Sequence, residues 1–270
     1  MRSKIILLGT GNPNPDPERF GPSIAITVND SLYLIDCGAG AVRRVAAAGI
    51  SVSKITRVFI THLHSDHTIG YPDIILTPGV IDRNEPLEVY GPKGLTKMTE
   101  HIMKAYNLDI QERIEGLEPA NKAGYVVHAH EIDEGVIYSD VNIKVDAFPV
   151  NHGSLESYGY KFVLPDRTVV ISGDTCLSDN LIKHAEGCDI LIHEVYSAEG
   201  LKGRTEEWRK YHSSVHTSTL ELAEIARKVN PKLLVLYHQL FMKQTEEDLL
   251  KEITECYDGK VVSGNDLDVF

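Results

Sequence analysis

The sequence predicts an α/β fold in which two groups of strands form two packed sheets with helices outside. Short runs of aliphatic, β-branched and aromatic residues recur along the chain and are typical of strands. Segments with helical periodicity separate these runs into two groups. No internal repeat, linker or low-complexity stretch interrupts the 270 residues, which indicates a single domain covering 1–270.

Residues 5–132 supply the first group of strands. A loop rich in Pro and Gly, residues 9–17, separates the first two strands, because its prolines lack the backbone donor that regular structure needs. After the third strand, Val42, Val45 and Ala46 mark the apolar face of a helix. Residues 71–80 are apolar and suit one wall of a pocket. The predicted strands are 5–8, 24–28, 32–36, 57–60, 87–90 and 125–132, and a further helix is predicted over 94–106.

Residues 141–270 supply the second group. Residues 158–172 predict a hairpin around Pro165 and Asp166. Ser218 with Glu221 forms a capping box at the start of one helix, and Thr245 caps another helix over 246–256. The remaining predicted strands are 141–150, 190–193 and 233–237.

Residues 200–214 have a different composition from the segments around them. They combine the cations Lys202, Arg204, Arg209 and Lys210 with acidic residues and Trp208. This mixture is typical of a solvated lid or insertion rather than of core. The four cations make the segment the best place in the chain to contact an anionic substrate.

Composition restricts the function and the location. The formal net charge of −12 disfavours non-specific binding of nucleic acid, although a local basic patch is still compatible with it. The four cysteines are widely spaced, which indicates free thiols rather than a zinc ribbon or a disulfide framework. The apolar run at residues 5–9 is too short for a signal peptide, and no run approaches membrane-spanning length. We therefore expect a cytoplasmic protein with no membrane partner.

The strongest chemical signal is Thr-His-Leu-His-Ser-Asp-His at residues 61–67, directly after a short buried strand. Imidazole and carboxylate are ligands that Zn²⁺ favours. In a loop leaving a strand, alternate side chains can point to two neighbouring positions, so His62 and His64 would share one direction and Asp66 and His67 another. A histidine-rich surface loop is the alternative, but the spacing at a strand end favours metal binding. Four ligands in one loop cannot complete two metal sites, so further ligands must come from elsewhere.

Other strand ends supply further candidates. His152 follows the strand 141–150, Asp174 follows the hairpin, and His238 follows the strand 233–237. A carboxylate such as that of Asp174 can bridge two metals through its two oxygens.

Three more residues near strands are candidates for ligands or for groups that support the ligands. Asp36, at the turn after the third strand, could cap the next helix or support the metal ligands, and the sequence favours neither role. His128 and His130 lie on the same face of a half-exposed strand and are interpreted as ordinary sheet residues.

The order of these ligands resembles that of the metallo-β-lactamase superfamily of hydrolases, over nearly the whole chain. Within it, the chain is most similar to the ribonuclease Z and arylsulfatase branch, because of three further motifs. These are Leu8-Gly9-Thr10-Gly11, Tyr90-Gly91-Pro92 and His216-Thr217-Ser218. The resemblance implies a four-layer αββα sandwich with the site along one edge of the two sheets.

The resemblance also implies a ligand set for two Zn²⁺ ions, with Mn²⁺ or Fe²⁺ as alternatives. The ligands of the first ion would be His62, His64 and His152. Those of the second would be Asp66, His67 and His238, with Asp174 bridging both ions.

Three residues are implied to carry the proton transfers. A metal-bound hydroxide would be the nucleophile, and Asp66 would accept its proton. His216, oriented by Glu194, would donate a proton to the leaving group or clamp the oxyanion. The alternative for His216 is that it only neighbours the helix cap at Ser218.

The leading hypothesis is a dinuclear zinc phosphodiesterase related to ribonuclease Z, acting on RNA or a small phosphodiester. Ribonuclease Z enzymes usually carry a long arm that grips tRNA, inserted before the strand that leads to the bridging aspartate or, in another form, nearer the site loop. The hairpin at 158–174 has no room for it, and this chain has Ala39 where these enzymes usually have Glu. The alternatives are a β-lactamase or lactonase, an arylsulfatase, and a non-enzymatic metal-binding module. A short lid and the apolar residues 74–80 would suit a small molecule. Relatives of this branch imply a homo-oligomer, a dimer or a tetramer.

Overall fold

The computed structural model describes residues 3–270, which form two compact units. The N-terminal unit comprises Ser3–Gly9, Pro13–Ile132 and Asn265–Phe270, and the C-terminal unit comprises Thr10–Asn12 and Asp133–Gly264. Met1 and Arg2, part of the segment on which the signal-peptide argument depends, lie outside the described residues. No helix within residues 3–270 is long and apolar enough to cross a bilayer. That residues 1–270 form one domain stays a prediction.

The N-terminal unit is built on one mixed sheet. Its strands are β1 (Lys4–Gly9), β2 (Ser23–Val28), β3 (Ser31–Ile35), β4 (Arg57–Phe59), β5 (Leu87–Gly91) and β6 (Val127–Glu131), hydrogen-bonded in that order. Its helices are α1 (Ala41–Ala47), α2 (Ser65–Thr68), α3 (Tyr71–Val80), α4 (Leu95–Ala105) and α5 (Asn107–Glu115). Strands β3 to β6 run parallel, so the loops that follow β3 and β4 leave the same edge of this sheet.

The apolar faces of this sheet and its helices form one core, in which Leu34, Val58 and Ile74 are fully buried. All six predicted strands are present. Residues 71–80, described from the sequence only as apolar, form α3. Helix α5 was not predicted, because Ile110 is its one buried residue and it has no apolar stripe.

The C-terminal unit is built on a second mixed sheet. Its strands are β7 (Gly135–Ser139), β8 (Lys144–His152), β9 (Leu155–Val163), β10 (Thr168–Ile171), β11 (Ile190–Tyr196), β12 (Leu233–Leu240) and β13 (Val261–Ser263), with β7 and β13 at the edges. Its helices are α6 (Asp179–Ala185), α7 (Ala198–Lys202), α8 (Glu206–Val215), α9 (Thr219–Val229) and α10 (Glu246–Thr254). Strands β7 to β10 are antiparallel neighbours, and β10 to β13 run parallel.

Several predictions for this unit are confirmed and one needs correction. The hairpin of β9 and β10, the capping box at Ser218 and the helix cap at Thr245 are present. The strand predicted over 141–150 starts too early, because Asp140 accepts the backbone N–H groups of Asn142 and Ile143 and turns the chain between β7 and β8. Residues 200–214 lie mainly in the exposed helix α8, which agrees with a solvated segment rather than core.

Arg83 is a fully buried cation that ties the N-terminal unit together. Its guanidinium donates hydrogen bonds of 2.5–3.2 Å to four backbone carbonyl oxygens. These belong to Ile55, Ile74, Ile75 and Gly124. Burial lowers the pKa of Arg83 to about 10, so the side chain is still charged at neutral pH.

We expect Arg83→Met to lower the free energy of unfolding by about 3 kcal/mol, because buried carbonyls lose their donor. Urea unfolding measures this difference. Arg43→Met is the control, since the Arg43 side chain is 80% exposed, and its effect should stay within about 0.5 kcal/mol. Equal losses in the two variants would contradict a special role for Arg83.

Candidate metal centre

The loop after β4 places two imidazoles against each other. The Nε2 atom of His62 lies 3.1 Å from the Nδ1 atom of His64, and the two rings are inclined by 78°. Two nitrogens bound to one tetrahedral Zn²⁺ at about 2.0–2.1 Å would be separated by about 3.3 Å. The pair therefore fits two ligands of one ion with little rearrangement.

Helix α2 brings Asp66 and His67 together in the same unit. The Nε2 atom of His67 lies 3.4 Å from Oδ2 of Asp66. On the other side of the ring, Nδ1 of His67 lies 2.8 Å from Oδ2 of Asp36. A carboxylate that holds one imidazole nitrogen directs the other nitrogen toward a metal, so this arrangement suits a metal ligand.

The two possible roles of Asp36 are thereby distinguished. Asp36 is buried, accepts a hydrogen bond of 2.8 Å from the backbone N–H of Thr61, and has a left-handed φ of 60°. Such a conformation persists in a non-glycine residue when surrounding contacts hold it. The N-cap position of α1 belongs to Gly40, so Asp36 supports His67 and does not cap the helix.

We expect Asp36→Asn to weaken Zn²⁺ binding by about 10–100-fold, because the His67 ring loses its anionic partner. Competition with a chromogenic chelator measures the affinity. Asp30→Asn is the matched control, since the Asp30 side chain is fully exposed in the same unit. Equal Zn²⁺ affinities for the wild type and Asp36→Asn would contradict this role.

In the C-terminal unit, β8 ends at His152 and a turn after β10 presents Asp174. The Nδ1 atom of His152 donates to the backbone oxygen of Val215 at 2.8 Å, which directs Nε2 the other way. Gly173 adopts a φ of 61°, a conformation that favours glycine, and so turns the chain just before Asp174. His152, Asp174 and His216 each present one potential ligand atom, all within 4.8 Å of one another.

A β-bulge in β12 sets the orientation of the His238 side chain. Glu194 pairs with Tyr237 and Val195 pairs with Gln239, so His238 is the additional residue in β12. Its φ is 45°, and its Nε2 atom lies 3.5 Å from Oδ2 of Asp174. Bulges frequently re-aim a side chain beside a functional site, and this one turns His238 toward Asp174.

Glu194 on β11 is fully buried and organises the loop that carries His216. Its Oε1 atom accepts from the Nδ1 atom of His216 at 3.0 Å and from the backbone N–H groups of Thr175 and Thr217 at 3.1 and 3.2 Å. A carboxylate on one ring nitrogen stabilises the imidazolium, which is the form of histidine that can donate a proton.

Comparison with known proteins agrees with this geometry. A family model described as Anti-Pycsar protein Apyc1 matches residues 3–254. The chain belongs to the Apyc1 family. A curated ribonuclease Z of Mycobacterium marinum is 30% identical over 270 residues, covering 98% of this chain and 96% of that protein. The chain is thus also a ribonuclease Z-like member of the metallo-β-lactamase superfamily.

Two solved structures show the fold. The metallo-β-lactamase fold protein YhfI of Bacillus subtilis superposes with a TM-score of 0.79 at 17% identity, covering 99% of this chain and 98% of the other. The short form of human tRNase Z superposes with a TM-score of 0.74 at 24% identity and the same coverage. The Apyc1-family chain is therefore a metal-dependent hydrolase of the phosphodiesterase type with the metallo-β-lactamase fold.

The structure also locates two groups of charged side chains outside the proposed ligand set. In the Apyc1-family chain, Glu88 pairs with both His128 and His130 at 2.7 Å on the exposed face of the sheet, as expected for ordinary sheet residues. Lys202 pairs with Glu199 at 2.5 Å, so one of the four cations in 200–214 is already matched.

Sequence reasoning missed the backbone groups that bond to Glu194 and His152 in this Apyc1-family chain. Thr175 and Thr217 bond to Glu194 through their backbone N–H groups, and the carbonyl of Val215 holds His152. A backbone group carries no residue-specific signal, so these contacts are visible only once the chain is folded.

Proposed function

We propose that this chain hydrolyses small phosphodiesters with two bound divalent metal ions, of which Zn²⁺ is the preferred candidate. The N-terminal unit would contribute His62, His64, Asp66 and His67. The C-terminal unit would contribute His152, Asp174 and His238. Mn²⁺ or Fe²⁺ would suit the same nitrogen and oxygen donors.

The observation that carries this proposal is the arrangement of ligand atoms inside each unit. His62 and His64 oppose each other at 3.1 Å, and His67 and His238 lie 3.4 and 3.5 Å from their carboxylate neighbours. Asp36 and the backbone oxygen of Val215 each hold the Nδ1 atom of one ring, that of His67 and that of His152. Histidines oriented in this way are typical of metal ligands rather than of solvated surface residues.

The preference for a small substrate rests on the β9–β10 hairpin. Four residues, 164–167, join the two strands, and the N–H of Leu164 bonds the oxygen of Arg167 at 2.9 Å. No arm is therefore inserted between His152 and Asp174, where a tRNA-gripping element would be expected. The net charge of −12 also disfavours a long polyanion.

Two side chains would transfer protons, and a third would orient one of them. Bound divalent ions would supply an activated water and would stabilise negative charge on the phosphoryl group. Asp66 would take the proton of the attacking water. His216, held by Glu194, would donate a proton to the leaving oxygen.

The test is a comparison of four substrates with zinc-loaded protein. They are bis(p-nitrophenyl) phosphate, precursor tRNA, a chromogenic cephalosporin and p-nitrophenyl sulfate. We expect turnover of the phosphodiester, abolished by chelation and restored by added Zn²⁺. Cleavage of precursor tRNA at a higher kcat/KM would overturn the small-substrate preference. Turnover of the cephalosporin or sulfate alone would overturn the phosphodiesterase assignment.

A further inference from the structure

The residue that follows His238 in the β-bulge is a buried glutamine with a fully bonded carboxamide. Gln239 is 1% exposed, and all of its side-chain partners belong to the C-terminal unit. Its Nε2 atom donates to the backbone oxygens of Leu236 and Gly264 at 3.2 and 2.9 Å. Its Oε1 atom accepts from the hydroxyl of Ser263 at 2.7 Å. The side chain of Gln239 therefore joins the backbone just before the bulge to the end of strand β13.

The backbone of the bulge is bonded from a second direction. The Nδ2 atom of Asn12 donates to the backbone oxygen of Gln239 at 2.8 Å. Asn12 directly follows Leu8-Gly9-Thr10-Gly11, one of the three motifs that resemble the ribonuclease Z branch and one to which the proposed function gives no role. Residues 10–12 belong to the same unit as the bulge. This motif is thus followed by a side chain that ties down the residue after His238.

His238 needs such support because of its backbone conformation. Its φ of 45° lies in the left-handed region, which a residue other than glycine keeps only when surrounding contacts hold it. The pairing of β11 with β12 shifts between Glu194 and Val195, so the regular ladder does not hold His238. The Nε2 atom of His238 lies 3.5 Å from Oδ2 of Asp174. Relaxation of the bulge would turn this imidazole away from the carboxylate.

We propose that Gln239 is a positioning residue for metal binding, whose carboxamide, together with Asn12 and Ser263, keeps His238 in the orientation of a metal ligand. The proposal rests on the metal-dependent function proposed above, which assigns His238 to the second ion. Removing a group that orients a ligand typically weakens metal binding by about 10–100-fold. Loss of the Gln239 carboxamide should therefore weaken binding of the second ion and spare the first.

Zinc affinity tests this proposal in solution. Gln239→Met keeps the length of the side chain and removes its carboxamide. Competition of metal-free protein with a chromogenic chelator gives the affinity for each of the two Zn²⁺ equivalents. We expect one equivalent to bind about 10–100-fold more weakly and the other to keep its wild-type affinity. Wild-type affinity for both equivalents would overturn the proposal.

A double substitution tests whether Gln239 acts through His238. His238→Ala should weaken one equivalent by itself. Adding Gln239→Met to His238→Ala should cause no further loss, because the imidazole that the carboxamide orients is already gone. Losses that add would overturn the positioning role, since they would show an effect of Gln239 that does not pass through His238.

Ile253→Val is the control for a loss of stability alone. Ile253 is fully buried on α10 in the same unit, so its shortening should lower the urea midpoint of unfolding. Both zinc affinities should stay at their wild-type values. If Ile253→Val weakens zinc binding as much as Gln239→Met does, stability and not the orientation of His238 sets the affinity, and the proposal fails.

Ser263 offers a milder pair of variants that keeps Gln239 in place. Ser263→Ala removes one of the hydrogen bonds of the carboxamide and should weaken the same Zn²⁺ equivalent. Ser263→Thr retains a hydroxyl and should keep the wild-type affinity. Equal affinities in the two Ser263 variants would contradict a role for the bond between Ser263 and Gln239.

Crystal structures of the metal-free wild type and of metal-free Gln239→Met separate this proposal from the proposed function. In the variant, we expect the distance of 3.5 Å between Nε2 of His238 and Oδ2 of Asp174 to lengthen, and the φ of His238 to leave the left-handed region. An unchanged His238 would overturn the positioning role. If the wild type binds no Zn²⁺, the metal-dependent function fails, and the two structures still decide whether Gln239 orients His238.

Discussion

Asp174→Asn is expected to lower kcat for phosphodiester hydrolysis by about a thousandfold or more, which is about 4 kcal/mol of transition-state stabilisation. Asp174 is buried, and the Oδ2 atom of its carboxylate lies 3.5 Å from the Nε2 atom of His238. An amide has nearly the same shape but lacks the negative charge that would neutralise two cations. Steady-state hydrolysis of bis(p-nitrophenyl) phosphate by zinc-supplemented protein measures the loss.

Asp179→Asn provides the matched control for this substitution. Asp179 begins α6 in the same unit, is exposed, and lies outside the proposed ligand set. The control should retain wild-type turnover, and circular dichroism should show that both variants fold. If Asp174→Asn keeps more than about a tenth of the wild-type kcat, Asp174 does not bridge the metals.

His216→Ala is expected to show a loss that depends on the leaving group. For an alkyl leaving group, kcat should fall about 10²–10⁴-fold, because the departing alkoxide needs a proton. For p-nitrophenolate the loss should be far smaller, because this anion leaves without protonation. Comparing the variant on methyl p-nitrophenyl phosphate and on a dialkyl phosphodiester measures the difference.

Two other roles for His216 give different results. An oxyanion clamp would produce equal losses on both substrates. His216 could also be a metal ligand, because its ligand atom lies within 4.8 Å of those of His152 and Asp174. In that case His216→Ala would lower the zinc content. We expect His216→Ala to retain the zinc content of the wild type.

Substitution of Glu194 tests whether this residue acts by orienting His216. Its carboxylate accepts from Nδ1 of His216 at 3.0 Å, so Glu194→Gln should lower activity only where His216 donates a proton. In the double variant the two losses should not add, because both residues act through one imidazole. Additive losses would show that Glu194 acts independently of His216, through Thr175 and Thr217.

The sequence was most informative where metal-ligating side chains directly follow a predicted strand. His62, His64, Asp66 and His67 follow one strand, and their spacing alone predicted a metal loop whose side chains do converge in the structure. The capping box at Ser218 and the helix cap at Thr245 were also predictable, since each depends on residues close in sequence.

What the sequence did not show depends on contacts between distant parts of the chain. The bulge that turns His238 requires the pairing of β11 with β12, and no local pattern encodes it. The support of His67 by Asp36 links residues 31 positions apart. Val215 is the one buried residue of helix α8, so the charges of this segment indicated a solvated lid and its helical structure was not predicted.

The most direct test of the central proposal is the number of Zn²⁺ ions that each chain binds. Metal-free protein is dialysed against Zn²⁺ and its metal content is measured together with phosphodiester turnover. We expect two ions per wild-type chain, with activity reaching its plateau at the second equivalent. Removing one ligand from either unit, as in His64→Ala or His152→Ala, should lower the content toward one. A wild-type chain that binds no zinc, or that hydrolyses phosphodiesters equally well after chelation, would contradict the proposal.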